Sequence, residues 1–384
     1  MGITDRVGPR HVRAGITDRL GRPMMQIGYN YPSKQRRNII LAGRESEKTM
    51  ALLYKELGID LGTVNTIIAE GGQIVLSEPT MVVIDVDAQK VVEVGEQARH
   101  MYGRVPDGYE VVHPMKDGAI ADFEVAQVLL TWFIRKVSGA VSPFKPRAMV
   151  TVPHGITSVE RRAASEAVLR AGCREVSLVT RSLSAAVGSG LPISTPSGNM
   201  VVYLGGGVSE ASVITMNGPV VANTIRLGGQ KLDEIIAAYI RRKYGVVISD
   251  MVAEEVKLRI GAAAPVEPNE SLDVQGRDQV NNLPRTVTVS SADVVEALEE
   301  PLNDIVGCLR STLERTPPEL TADIIDRGIM MCGGGALLRG MDRFLTNATG
   351  IPVYLAEEPV GCLATGAELV LHQINQFKRY LPQA

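Results

Sequence analysis

Cysteine is scarce: Cys173, Cys308, Cys332 and Cys362 are the only four in 384 residues. No C-x-x-C pair and no nearby histidine set accompanies them, which argues against a zinc site or a disulfide framework and leaves reduced, cytoplasmic thiols. Excess positive charge is also missing. Lys and Arg total 40 against 43 Asp and Glu, a net charge of −3, so no global field exists to hold a nucleic-acid backbone and nucleic acid is not expected as a partner. Long apolar runs are absent too. No stretch approaches the ~18 to 20 apolar residues that span a bilayer, and the N-terminus lacks the apolar core of an export signal. What is present is ordinary globular composition, 45% apolar and 22% charged. At roughly 150 residues per domain, the length allows two or three domains.

Residues 1–49 differ from the rest, with ten Lys or Arg against four Asp or Glu, and Gly-Ile-Thr-Asp-Arg at Gly2 recurs at Gly15. Nothing there is periodic, so the segment reads as a disordered basic extension, or as sequence upstream of a true start at Met50. From Leu57 onward, β-rich runs alternate with amphipathic helices, an α/β pattern. Strands are expected at Leu57 to Asp60, Thr66 to Ala69, Met81 to Val86 and Val91 to Val94. The first helix is expected near Asp122, with Val125, Val128, Leu129, Trp132 and Phe133 on its buried face. Another strand, Ala148 to Val152, precedes a helix opened by the capping box Thr157-Ser-Val-Glu160, and Val176 to Val179 is a strand again.

A second cycle starts with strands at Met200 to Leu204, Ala211 to Met216 and Pro219 to Arg226, then helices at Lys231 to Tyr244, Val252 to Ile260 and Ser291 to Leu313. Pro301 is expected to bend or split the last of these. Ile329 to Cys332 is a further strand. The order repeats the opening near Leu57, which predicts two similar halves.

Three glycine-rich turns follow strand-like runs: Asp60-Leu-Gly-Thr-Val-Asn-Thr66, Leu204-Gly-Gly-Gly-Val-Ser209 and Cys332-Gly-Gly-Gly-Ala336. Absent side chains let backbone N–H groups approach a phosphate together, although tight hairpins need glycine in any case. Neither the P-loop pattern nor G-x-G-x-x-G occurs.

Asp60-Leu-Gly-Thr-Val-Asn-Thr66 resembles the first phosphate motif of the actin, sugar-kinase and DnaK-type chaperone superfamily, and in particular the MreB family of bacterial actins. Leu76-Ser-Glu-Pro79, Pro114-Met-Lys-Asp-Gly-Ala-Ile-Ala-Asp122, Val159-Glu-Arg-Arg162, Pro317-Pro-Glu-Leu320 and Gly333-Gly-Gly-Ala-Leu-Leu338 agree with that family, so the similarity runs from about Leu57 to Leu371. The resemblance implies a two-lobed actin-like fold, duplicated and ribonuclease H-like, with a central nucleotide cleft. One lobe would cover 50–195 and the other 196–371, with 372–384 a C-terminal tail and the C-terminal helix free to return to the first lobe. The implied cofactors are ATP and Mg²⁺. Asp60 would face the metal through water, and Gly62, Thr63, Val64 and Asn65 would line the phosphates opposite Gly205, Gly206 and Gly207. Glu254 and Lys257 would flank ribose and base, and Gly333, Gly334, Gly335 and Ala336 would close over the adenosine.

The chain departs from the family at two places. The family's Asp before the second glycine triplet is Tyr203 here, and the Glu-Glu-Pro that orients the attacking water is replaced by Thr180, Arg181 and Ser182. Losing a water-orienting group costs on the order of 10² to 10⁴ in rate, so hydrolysis is expected to be slow or absent and no catalytic residue is assigned. Binding is a separate matter: either the cradle still takes ATP, with Arg181 adding positive charge, or Tyr203 fills the cleft. Glu210 is the acid to test if turnover is found, and its alternation with Val208 and Ser212 equally fits an ordinary hairpin residue.

In the family, a small apolar loop touches the inner leaflet, and Ser142-Pro-Phe-Lys-Pro146 matches it with Phe144 retained. Leu52, Leu53 and Tyr54 could add to the contact. The resemblance further implies filament protomers of the same chain, other MreB-like subunits and membrane proteins of cell-wall elongation as partners. It places the chain in the cytoplasm, peripheral to the inner face of the membrane. A non-polymerising regulator built on the same fold is the competing expectation.

Overall fold

Leu57, Ile59 and Leu61 lie in a short β-type run bounded by turn residues, and they form the centre of β1 (Glu56–Leu61), which is buried along nearly its whole length. The computed structural model describes residues 54–139 and 144–382. The N-terminal extension, the Met50 start, Leu52, Leu53, Ser142 and Pro143 lie outside the described residues. β1 turns into β2 (Asn65–Glu70) and then β3 (Gln73–Pro79), an antiparallel meander. β4 (Arg147–Val152) pairs in parallel with β1, and β5 (Glu175–Thr180) in parallel with β4, for the order β5-β4-β1-β2-β3.

The second sheet repeats this plan. β6 (Asn199–Leu204), β7 (Ser209–Thr215) and β8 (Gly218–Ile225) form the meander, β9 (Ile329–Cys332) runs parallel to β6, and β10 (Val353–Leu355) parallel to β9. The order is β8-β7-β6-β9-β10. Two sheets of identical topology confirm the two halves expected from the sequence pattern. Each has its own apolar core, one around Leu57, Ile59, Leu129 and Val150, the other around Val202, Ile236, Leu298 and Ile329.

Helices cover the sheets for reasons visible in their sequences. Asp122 accepts from the Val125 N–H and caps α1 (Phe123–Ser138). The buried face of α1 carries Ala126, Leu130 and Ile134 beside Val125, Leu129 and Phe133, while Trp132 is 50% exposed. The expected stripe is therefore rotated, because two adjacent apolar rows are longer than the row containing Trp132 and win the core. The Thr157–Glu160 capping box opens α2 (Ser158–Arg170) as expected. α3 (Arg181–Gly188) follows β5 directly. In the second half come α4 (Gly229–Tyr244), stopped by Gly245 in the left-handed conformation, α5 (Asp250–Ile260) and α6 (Ser291–Glu314).

Three expectations need correction. α6 is not split at Pro301, which lies buried inside it among Leu298, Leu302 and Ile305. An interior proline costs ~3 kcal/mol, less than several buried leucine-type side chains at about 1.5–3 kcal/mol each. A helix, Glu96–Met101, precedes α1, so the run of strands before it is interrupted. Within the segment expected as a tail, Phe377 is buried and the Tyr380 hydroxyl donates to the Met216 carbonyl at 3.1 Å.

One helix crosses between the halves. α7 (Cys362–His372) follows the second sheet in sequence but packs on β1, β4 and α3. Glycine makes this approach possible: a Cβ at Gly366 would lie 1.9 Å from the Ser184 carbonyl oxygen, and one at Gly58 would lie 2.0 Å from that of Ala364.

Candidate functional site

The β1–β2 and β6–β7 turns meet at one point. Gly62 N–H bonds the Asn65 carbonyl at 3.1 Å, and Gly205 N–H bonds that of Val208 at 2.9 Å, so both are closed hairpins. A Cβ on Gly206 would lie 2.4 Å from Val64 Cγ2, and one on Gly207 2.4 Å from Thr63 Oγ1. Thr63 Oγ1 also accepts the Gly118 N–H at 3.0 Å, from the short hairpin between Met115–Lys116 and Ala119–Ile120. A side chain at 206 or 207 would displace Val64 or Thr63 of the opposing turn, which favours glycine at both positions. Asn65 and Val64 are half-buried at the rim.

Beneath this junction lies the most unusual group in the molecule. Arg181 is 1% exposed, the largest of the fully buried side chains. Its Nη2 donates to the carbonyls of Leu61 at 3.1 Å and Gly118 at 3.5 Å, and its Nε lies 3.8 Å from Asp60 Oδ1. The Thr151 hydroxyl donates to the same carboxylate. Burial raises the Asp60 pKa above the usual carboxylate value, while Arg181 and Thr151 pull it back. Tyr203 packs its ring 5.7 Å from the Arg181 guanidinium carbon, and its hydroxyl sits 2.5 Å from where a Gly205 Cβ would be. Burial pushes its phenol well above the ordinary value, so it is a neutral group. Tyr203 thus belongs to the floor, in the core cluster with Val179, Leu183 and Cys332.

Glu210, 1% exposed, points into the seam between the halves rather than at the turns. Its carboxylate accepts the His154 N–H at 2.8 Å, the Ser182 N–H at 3.0 Å and the Thr224 hydroxyl at 3.2 Å. Glu254 and Lys257 share α5 but diverge. Glu254 pairs with Arg99 across the cleft at 3.2 Å, whereas Lys257 donates to the Gly229 carbonyl at 2.8 Å and to Asp233 at 2.7 Å. Burial pushes Asp233 up to about 6 despite the Lys257 ammonium. A Cβ on Gly229 would lie 3.3 Å from Lys257 Nζ and 3.8 Å from Gly206 Cα, so Lys257 stands near the second triplet. Gly333 and Gly335 press on Leu204, Gly334 faces open space and Ala336 is buried. The second-half residues therefore converge, from Gly205–Gly207 through Gly229 to Lys257, with Gly333–Gly335 tied to them through Leu204. Glu254 reaches the opposite lip.

The chain matches the family model described as MreB/Mbl protein over residues 54–379. It belongs to the MreB/Mbl family. It is 44% identical over 329 residues to the cell shape-determining protein Mbl of Bacillus cereus, covering 85% of this chain and 99% of that one. Identity to the cell shape-determining protein MreB of Escherichia coli K12 is also 44%, over 335 residues, 86% of this chain and 96% of that one. Among solved structures, MreB5 of Spiroplasma citri bound to ADP superposes with a TM-score of 0.79 at 30% identity, covering 85% of this chain and 98% of that one. The MamK double helical filament matches with a TM-score of 0.71 at 20% identity, covering 83% and 99%, which shows the shared actin-like fold. This MreB/Mbl protein is therefore a two-lobed actin homologue of the cell-shape-determining kind.

Its residues fit the two expected cofactors differently. A divalent cation needs carboxylate or other oxygen donors free to face it; at Asp60 the Thr151 hydroxyl and Arg181 Nε both approach Oδ1, so Oδ2 carries neither contact. No cluster of three His, Cys, Asp or Glu able to hold a metal occurs among the described residues. Asp60 is the residue that would hold a hydrated Mg²⁺, through water from Oδ2. The side-chain-free turns fit an anion, whereas the Gly229 and Gln230 N–H groups at the α4 N-terminus are spent on the Gly205 and Gly206 carbonyls and the Lys257 ammonium is paired with Asp233.

Sequence reading missed Arg99, Thr151 and Asp233 as site neighbours, and the sealing role of Glu210. One signal was available. Asp233 falls on the same face of α4 as Ile236 and Ile240, and an acid on an apolar stripe needs a partner.

Proposed function

We propose that this MreB/Mbl protein is a filament-forming subunit of the cell-shape machinery that holds an adenine nucleotide in its cleft and hydrolyses it weakly or not at all. One observation carries the second half of that statement: the position of the family's water-orienting acids is taken by Arg181, fully buried and 3.8 Å from Asp60, and no carboxylate stands there. General-base assistance needs a carboxylate within hydrogen-bond reach of the attacking water. Glu210, the next acid, is spent on two backbone N–H groups and a hydroxyl. The nucleotide is supported by the glycine cradle and by the related MreB5, solved with ADP and with AMPPNP.

Family membership supports assembly with further copies, or with other MreB-like subunits, and action beside membrane proteins of cell-wall elongation. For the inner membrane surface, Phe144 is 41% exposed and packs edge-on against Tyr54 at 5.2 Å, with the Arg174 guanidinium over the Tyr54 ring. A single Phe contributes only about 2–3 kcal/mol, so membrane binding rests on many subunits acting together. No helix among the described residues is long and apolar enough to cross a membrane.

Electron microscopy with ATP, ADP and no nucleotide, run beside a phosphate-release assay, tests the reading. Filaments with little or no phosphate release are expected. Phosphate release keeping pace with assembly would refute the weakly hydrolysing cleft, and absence of filaments in all three conditions would make the protein a non-polymerising regulator.

A further inference from the structure

Contacts between the halves differ in what it costs to part them. Glu210 at the seam is 1% exposed and accepts the His154 and Ser182 N–H groups, so separation there strands a charge and its donors in the interior. Arg99 and Glu254 meet on other terms. Arg99 lies near the end of the helix Glu96–Met101, which packs beside the small sheet of Val82–Asp85, Lys90–Val94 and Tyr109–Val112 in the first half. Its Nη2 reaches Glu254 Oε2, on α5 of the second half, at 3.2 Å. The two side chains are 36% and 28% exposed, so a break returns both charges to water at little cost.

The charges on the two lips match. Asp250 stands one turn before Glu254 on α5, so the start of that helix turns two carboxylates to the same side. The first half supplies Arg99, Tyr102 and His113; the Tyr102 and His113 rings meet edge-on at 5.7 Å, and the Asp250 charge acts on both. Burial lowers the His113 pKa, which leaves Arg99 as the permanent cation of these three. Lys257, one turn beyond Glu254, lies 3.3 Å from where a Gly229 Cβ would be, beside the second glycine turn, so a contact at Glu254 closes over the way into the cleft. We propose that the Arg99–Glu254 pair is a clasp across the mouth of the cleft, which parts when a nucleotide enters or leaves and so sets the exchange rate rather than the affinity. This clasp rests on the nucleotide reading above and regulates the same site. An ion pair so exposed shifts an equilibrium by only about two- to fivefold, which slows exchange without locking it.

Stopped-flow mixing of the full chain with etheno-ATP in Mg²⁺ buffer, below the concentration at which filaments pellet, reads the two rates, and calorimetry with ATP reads the affinity. Arg99→Gln is expected to raise association and dissociation together by about two- to fivefold, while the affinity for ATP stays within about threefold of wild type. Arg99→Glu, which sets a third carboxylate against Glu254 and Asp250, should raise both rates further. Screening tests the unaltered chain: wild-type dissociation should quicken by about two- to fivefold between ~50 mM and ~500 mM NaCl, and that of Arg99→Gln should hold steady. Rates unchanged in both variants overturn the clasp and leave the nucleotide reading standing. Faster dissociation with unchanged association overturns it too, since Arg99 is then a nucleotide ligand. Absence of ATP binding to the wild-type chain overturns the nucleotide reading itself, and the clasp with it. If neither variant folds, the salt series decides, and wild-type dissociation flat in NaCl overturns the clasp.

Discussion

Glu210 is the side chain whose replacement says most about how the two halves are joined. It lies on β7, and two of its three partners, the His154 and Ser182 N–H groups, belong to the first half, just beyond β4 and at the start of α3. Hydrogen bonds to a charged acceptor contribute about 1.5–3 kcal/mol each, and a buried donor left unpaired costs about 1–3 kcal/mol. Glu210→Gln keeps the shape and one oxygen, but it turns an amide NH₂ toward either His154 or Ser182, so one donor faces another. The expected loss is about 2–4 kcal/mol, and Glu210→Ala, which strands both donors, should lose about 3–5 kcal/mol. Urea unfolding followed by circular dichroism measures the loss, and hydrogen exchange at the His154 and Ser182 amides localises it. Glu210→Gln within about 0.5 kcal/mol of wild type, with those amides still protected, would show that the seam is held elsewhere.

Gly366→Ala should destabilise by about 2 kcal/mol or more, because its Cβ would meet the Ser184 carbonyl 1.9 Å away and α3 cannot yield without shifting β5; a melting curve unchanged from wild type would contradict the close crossing. His372 donates to Glu56 at 2.9 Å, a bond that raises the imidazole pKa and lowers the carboxylate's, with Glu368 and Arg147 also facing the group. The imidazolium's contribution is full below the ordinary imidazole pKa and is lost as pH rises through the raised value. Thermal melts of wild type and His372→Gln should therefore converge as pH climbs from about 6 to about 8.5, and a gap that widens would reverse the assignment. Phe144→Asp is expected to lower sedimentation with anionic liposomes, and equal pelleting of both proteins would remove Phe144 from any membrane contact.

Much of the fold was readable because its elements announce themselves locally. The Asp122 cap, the Thr157–Glu160 box and the Gly245 stop are short-range devices, and each appears where its residues stand. β3 was missed for a physical reason: Gln73-Ile-Val-Leu-Ser-Glu-Pro79 is an edge strand, mostly exposed, and its alternation is weak. The glycine turns were legible because positions 206 and 207 favour the absence of a side chain, which sequence displays directly. The partners of Arg181 were not. Its contacts with Leu61 and Gly118 span 120 and 63 residues, and no local pattern encodes which carbonyls a buried cation will meet. Glu254 and Lys257 show the same limit, since helical spacing put them on one face while tertiary packing sent one across the cleft and the other to Asp233.

The return of α7 to the first sheet means that the linear order of the chain and its mechanical order disagree. Residues 362–372 roof β1, where Gly58 leaves no room for anything but the Ala364 backbone, yet they are made after the whole second sheet. A cut near residue 195 thus leaves the earlier fragment without the helix that covers its central strand, which exists only once residues 362–372 have been made.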